Sequence, residues 1–146
     1  MKLSILACIL VSIITPVHSE AVFTRFPLAA ASTLSTSDRI LARAFKLKTS
    51  GFMVKFRGTV VRKLPDDLDG SRHQKFLVRL DSGQTLLIAH NIDLAPRVSR
   101  LKTNSTLTIY GEYIWNDLGG IVHKTHHEPD GSTGGGWIRR KGVIYQ

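Results

Sequence analysis

Eight residues late in the chain, His123-Lys124-Thr125-His126-His127-Glu128-Pro129-Asp130, hold three histidines and two carboxylates. Imidazole titrates near neutral pH and ligates divalent metals, and carboxylates can complete a metal shell or carry a proton. The segment therefore reads as a candidate metal site formed by His123, His126, His127 and Asp130, or as acid–base machinery built on His126 and His127. Its spacing matches no His-Glu-x-x-His pattern, which leaves the identity of any divalent ion open. The plainer reading is an exposed polar loop that carries histidines.

Two further pairs are candidates for catalysis. His90-Asn91 follows Leu86 and Ile88 at the same parity, so the imidazole emerges where an apolar face ends. It could act as a general base, with Asn91 orienting a water or a ring nitrogen. A histidine in that place also serves simply as a satisfied edge residue. Arg72-His73 closes a polar loop that begins Leu64-Pro65-Asp66-Asp67, and an arginine beside a histidine could steady phosphate charge. The same loop opens like a calcium-binding segment at Asp67 and Asp69. Arg72 stands where such a loop needs glycine, and no glutamate closes it, so the calcium reading fails. Neither a Gly-rich phosphate loop nor a Gly-x-Ser-x-Gly nucleophile elbow occurs.

The third feature is charge. The 146 residues carry 20 Lys and Arg against 11 Asp and Glu, a formal +9. With 42% hydrophobic and 21% charged residues the chain can bury a core and is not a disordered polycation. Its single cysteine excludes an internal disulfide framework and a cysteine-based zinc site. Lys55, Arg57, Arg62 and Lys63 lie in one early strand, and Arg139 and Arg140 follow Trp137 near the end. Together these seven residues could form a phosphate-tracking groove with an aromatic stacking platform for DNA or RNA. A solvated basic surface is the alternative.

The elements that must position these residues follow from patterning. Met1-Lys2, the apolar run Leu3–Val17 and the polar boundary at His18-Ser19-Glu20 describe a secretory signal peptide cleaved after Ser19. Its removal takes away Cys8 and Lys2, leaving 127 residues of net charge +8 and an exported, periplasmic or secreted protein. Residues 20–34 read as a flexible arm. Ile40, Leu41, Ala44, Phe45 and Leu47 recur at helical spacing, predicting a short amphipathic helix over about 37–48. Alternating strands follow at 52–63, 74–81, 84–90, 105–114 and 120–124, with a bulge or bend expected at Gly58. A helical turn is expected near Asp93, and a last hairpin at Trp137-Ile138 and Val143–Tyr145. Five strands in this order predict a mainly β domain over 35–146, a small five-stranded OB-like barrel preceded by one helix.

Several runs also carry a family resemblance: Leu64-Pro65-Asp66-Asp67, Gly70-Ser71-Arg72-His73-Gln74, the long run from Ser82 to Arg97, and Thr125-His126-His127. Across roughly residues 40–146 the chain resembles a family of small exported bacterial proteins of unknown function. The resemblance implies bacterial export and brings no activity with it. Where that family often has a further histidine around the Gly-rich loop, this sequence has Ser132, Thr133 and Gly134. The barrel layout is also similar to secreted nucleases of the staphylococcal type, whose arginine and carboxylate motifs are not recognisable here. The expectation is an exported nuclease or phosphodiesterase with a His-rich, metal-dependent site. The alternatives are a non-catalytic exported binder of nucleic acid or envelope polysaccharide, and a structural or metal-buffering envelope protein.

Overall fold

The structure, a computed structural model, describes residues 33–132 and 134–146. The expected signal peptide and nearly all of the expected arm lie outside the described residues. Helix α1 (Thr36–Leu47) starts at Ser35, whose hydroxyl oxygen accepts from the Asp38 amide at 3.0 Å. Asp38 is buried, and its other oxygen accepts from the Ser82 amide at 3.0 Å, which ties the helix to a hairpin turn. Leu41 and Ala44 face the core from the apolar stripe that predicted the helix.

Seven strands follow: β1 (Phe52–Lys63), β2 (His73–Arg79), β3 (Thr85–Asn91), β4 (Thr106–Ile114), β5 (Ile121–His123), β6 (Trp137–Arg140) and β7 (Val143–Tyr145). Their order is β1-β2-β3-β5-β4-β6-β7, and a further β1–β4 pairing closes the first five into a barrel. The β3–β5 pair is parallel and the other pairs are antiparallel. The expected mainly β architecture, with a closed five-stranded OB-like barrel behind one short helix, is therefore present. The last hairpin, β6–β7, extends the sheet from β4 outside the barrel.

Alternation decides what each strand buries. In β1, Val54, Phe56, Gly58 and Val60 point inward, while Lys55 and Arg57 are exposed. Phe76 and Val78 of β2, Leu86 and Ile88 of β3, and Leu107, Ile109 and Tyr113 of β4 complete the interior. The bulge expected at Gly58 lies instead at Val61, where the register shifts between Val60 and Arg62. Gly58 serves a different purpose. A Cβ at Gly58 would overlap the Val78 side chain and lie 3.1 Å from the Arg79 carbonyl, so glycine lets β1 and β2 approach.

The 92–105 connection is not a helix. It opens with one turn in which the Ala95 amide donates to the Asn91 carbonyl at 3.2 Å, then lays Val98 and Leu101 into the core. Overpacking at the β1–β2 contact gives a direct check on this account. Replacing Gly58 with Ala is expected to lower the unfolding free energy by about 1–3 kcal/mol, read as a lower urea midpoint at unchanged slope.

Candidate nucleic-acid interface

The register of β1, β4 and β6 assembles the outer face. Lys55 opposes Tyr110, and Tyr110 opposes Trp137. In the adjacent row Arg57 opposes Thr108, and Thr108 opposes Arg139. Directly opposed residues share a face, so one row sets a lysine beside an aromatic pair and the next sets an arginine at each end, across three strands. Adjacent strands lie about 4.8 Å apart, so Arg57 and Arg139 stand about 10 Å apart at the backbone. The Tyr110 and Trp137 rings are tilted at 48° with centroids 6.1 Å apart. The Arg139 guanidinium carbon lies 5.6 Å from the Trp137 ring centroid. Thr59, two residues beyond Arg57, opposes exposed Arg79 of β2, which adds another cation to the edge of the face. The next carboxylate along β4, Glu112, is already paired with Lys124 at 3.1 Å, so it does not neutralise the two rows.

Of the seven basic and aromatic residues singled out in the sequence, Lys55, Arg57, Trp137 and Arg139 converge here. Arg62 and Lys63 do not: the β1–β4 ladder ends at Thr59, and beyond the bulge they oppose Leu77 and Phe76 of β2. Arg140 sits on the opposite parity to Arg139 and donates from Nη1 to the Ser99 carbonyl at 3.2 Å. Tyr110 and Arg79 were missed. Period-two alternation through 105–114, with Leu107 and Ile109 inward, was the signal that would have put Tyr110 outside.

The histidines disperse. His90 is buried at the end of β3, not emerging from it. The Pro96 carbonyl, 3.1 Å from Nε2, can only accept, so Nε2 carries the proton. Nδ1 then accepts from the Thr125 hydroxyl at 2.8 Å. Burial away from water, with smaller repulsion from His126 and His73, holds the imidazole below its ordinary 6.5 and therefore neutral. Both nitrogens are thus engaged inside the protein. Asn91 caps the following turn, its side-chain oxygen accepting from the amides of Asp93 and Leu94 at 2.9 and 3.3 Å. Arg72 holds Asp93 through its Nε at 2.6 Å and its backbone amide at 2.7 Å, locking the polar loop to the β3 exit.

The 123–130 segment breaks up for a local reason. Lys124 adopts a left-handed backbone, φ 48°, which ends the strand alternation after His123. His123 stays on the outer face, its Nε2 3.2 Å from Glu112. Thr125 and His126 turn inward and are buried, and His126 Nδ1–H donates to the His127 carbonyl at 2.7 Å. His127 and Asp130 face solvent, and the Asp130 carboxylate accepts from the Ser132 amide at 2.9 Å. The four residues expected to hold a metal are not brought together. Among the described residues no three His, Cys, Asp or Glu side chains are grouped to bind an ion. His73 and His123 do line one outer hollow of about 310 Å³, floored by Ala89, Ile114 and Ile121.

Comparison with known proteins bears on identity but not on activity. A family profile described as a protein of unknown function (DUF3465) matches residues 24–146. The chain belongs to the DUF3465 family. The match spans the whole barrel and the β6–β7 hairpin, so the interface residues of this DUF3465 protein all lie inside the family region. Comparison with curated proteins finds no match.

The neutral, buried His90 gives this DUF3465 barrel a specific pH dependence. Below about pH 6.5 the unfolded chain binds a proton that the folded chain resists. The His90 contribution is therefore complete above that pH and is lost as pH falls toward the depressed folded value. His90→Gln is expected to cost about 1–3 kcal/mol at neutral pH and to flatten the stability loss just below pH 6.5, measured by urea unfolding across pH.

Proposed function

We propose that this chain is an exported, non-catalytic OB-like module that binds single-stranded nucleic acid across the outer face of β1, β4 and β6. The observation that carries the reading is the aligned pair of rows Lys55–Tyr110–Trp137 and Arg57–Thr108–Arg139. Lys55, Arg57 and Arg139 neutralise phosphates, and the Tyr110–Trp137 pair offers a sequence-tolerant stacking surface. The spread of the rows across three strands suits an extended strand better than a small ligand. Export rests on the character of residues 1–19, and a basic exported protein meets anionic polymers outside the cytoplasm.

A binding role is preferred over hydrolysis because three of the candidate catalytic residues are committed within the protein, and His126 and His127 diverge, one buried and one facing solvent. His90 has both nitrogens committed, Asn91 caps a turn, and Arg72 is held by Asp93. Incubation of the purified protein with plasmid DNA and RNA, with divalent metal and with chelator, is expected to leave both polymers intact. Reproducible cleavage would overturn the non-catalytic part of the reading.

Binding itself is read by anisotropy of a labelled oligonucleotide at several salt concentrations. Trp137→Ala is expected to weaken binding by about 1–3 kcal/mol with little change in salt slope. Arg57→Gln with Arg139→Gln is expected to reduce the slope of log K against log salt by about 1.4, the value for two single-strand phosphate contacts. Equal affinity for an uncharged polysaccharide, or a flat salt dependence, would contradict the proposal.

A further inference from the structure

A second concavity lies away from the aromatic rows, between the end of β1, the start of β2 and the 97–101 stretch. It encloses about 260 Å³, and four cations line it: Lys63, Lys75, Arg97 and Arg100. Two of them have carboxylate partners, Asp66 for Arg97 and Asp67 for Lys75. Among the described residues neither Lys63 nor Arg100 is ion-paired, and both are exposed. We propose that this cavity binds a phosphomonoester group.

The wall that carries the two arginines is fixed from behind. Buried Gln74 grips Val98 twice: its Nε2 donates to the Val98 carbonyl at 3.3 Å, and its Oε1 accepts from the Val98 amide at 2.9 Å. His90 holds the Pro96 carbonyl and Arg140 holds the Ser99 carbonyl. Val98 and Leu101 are buried, which leaves Arg97, Ser99 and Arg100 outward, and the Ser99 hydroxyl is bonded to the Tyr145 hydroxyl at 2.9 Å. These contacts fix the backbone from which the Arg97 and Arg100 side chains project, which lowers the ordering left to do on binding.

Size and charge select the ligand class. The volume falls just below the range of pockets for drug-sized molecules and suits one phosphate with part of its sugar. A phosphomonoester is close to dianionic at neutral pH and offers three oxygens, which matches the two unpaired cations, Lys63 and Arg100. A carboxylate would satisfy one of them. The ligand's chemistry has two sources, the terminal phosphate of a nucleic-acid strand and a free phosphorylated metabolite.

Arg100 supplies a clean test because its backbone is left-handed, φ 50°, a conformation that glycine adopts more readily. R100G therefore removes the cation while leaving the fold at least as stable. The purified protein is titrated calorimetrically with inorganic phosphate near neutral pH. Saturable binding is expected, weakening as pH falls below neutral and the phosphate dianion takes up a proton. R100G and K63Q are each expected to weaken it about tenfold or more, with no fall in the thermal midpoint of R100G. Absence of saturable binding, or equal binding by wild type and both variants, overturns the inference. It does not depend on the nucleic-acid reading, since phosphate alone decides it. A preference for a 5′-phosphorylated over a 5′-hydroxyl oligonucleotide, lost in R100G, assigns the cavity to strand ends. Phosphate binding without that preference assigns it to small phosphorylated compounds.

Discussion

The pairing of β1 with β4 is the constraint on which the rest depends. It runs through eight opposed residue pairs, from Phe52 with Tyr113 to Thr59 with Thr106. Side chains alternate with period two, so this one register decides both faces at once. Inside, it sets Phe56 against Ile109; outside, it sets Lys55 against Tyr110 and Arg57 against Thr108. A slip of one residue would expose the core and bury two cations, which makes the register strongly specified. β6 then pairs with β4 on the side away from β1, beyond the stretch that β5 occupies, and brings Trp137 and Arg139 onto the cationic face.

Closure also leaves ends to be sealed, and the polar residues near them do that work. His90 and Thr125 meet inside, His90 reaches the Pro96 carbonyl, and Gln74 clamps Val98. Each contact satisfies a group that would otherwise be buried without a partner. They also hold the 92–105 connection against the barrel in the absence of a helix there. Two glycines ease the closing turn: at Gly120 a Cβ would overlap the Tyr113 ring, whose hydroxyl donates to the Gly119 carbonyl at 3.3 Å. His90, Asn91 and Arg72, which look chemical in the sequence, thus stabilise the barrel, and the exposed rows are left to meet a ligand.

Much of the fold was legible because alternation and turn residues are local signals. The bounds of β1 were read as they stand, and those of α1, β2, β3, β4 and β5 to within two residues. The site was less legible because it is a product of register. Lys55 and Arg57 are some eighty residues from Trp137 and Arg139, and no local pattern relates them. Arg62 and Lys63 look equivalent to Lys55 and Arg57 in the sequence, but they lie beyond Thr59, where the β1–β4 ladder ends. The histidine cluster misled for the converse reason. Neighbours in sequence were sent to different environments by one left-handed residue, Lys124, whose conformation an ordinary lysine does not advertise.

The oligonucleotide-binding face is located by mapping the amide shifts of the isotope-labelled protein by NMR as a short single-stranded oligonucleotide is added. Binding on the outer face of β1, β4 and β6 predicts perturbations concentrated on Lys55, Arg57, Thr108, Tyr110, Trp137 and Arg139, with the Trp137 indole among the most affected. Perturbations confined to the His73–His123 hollow, or none at low salt, would contradict it.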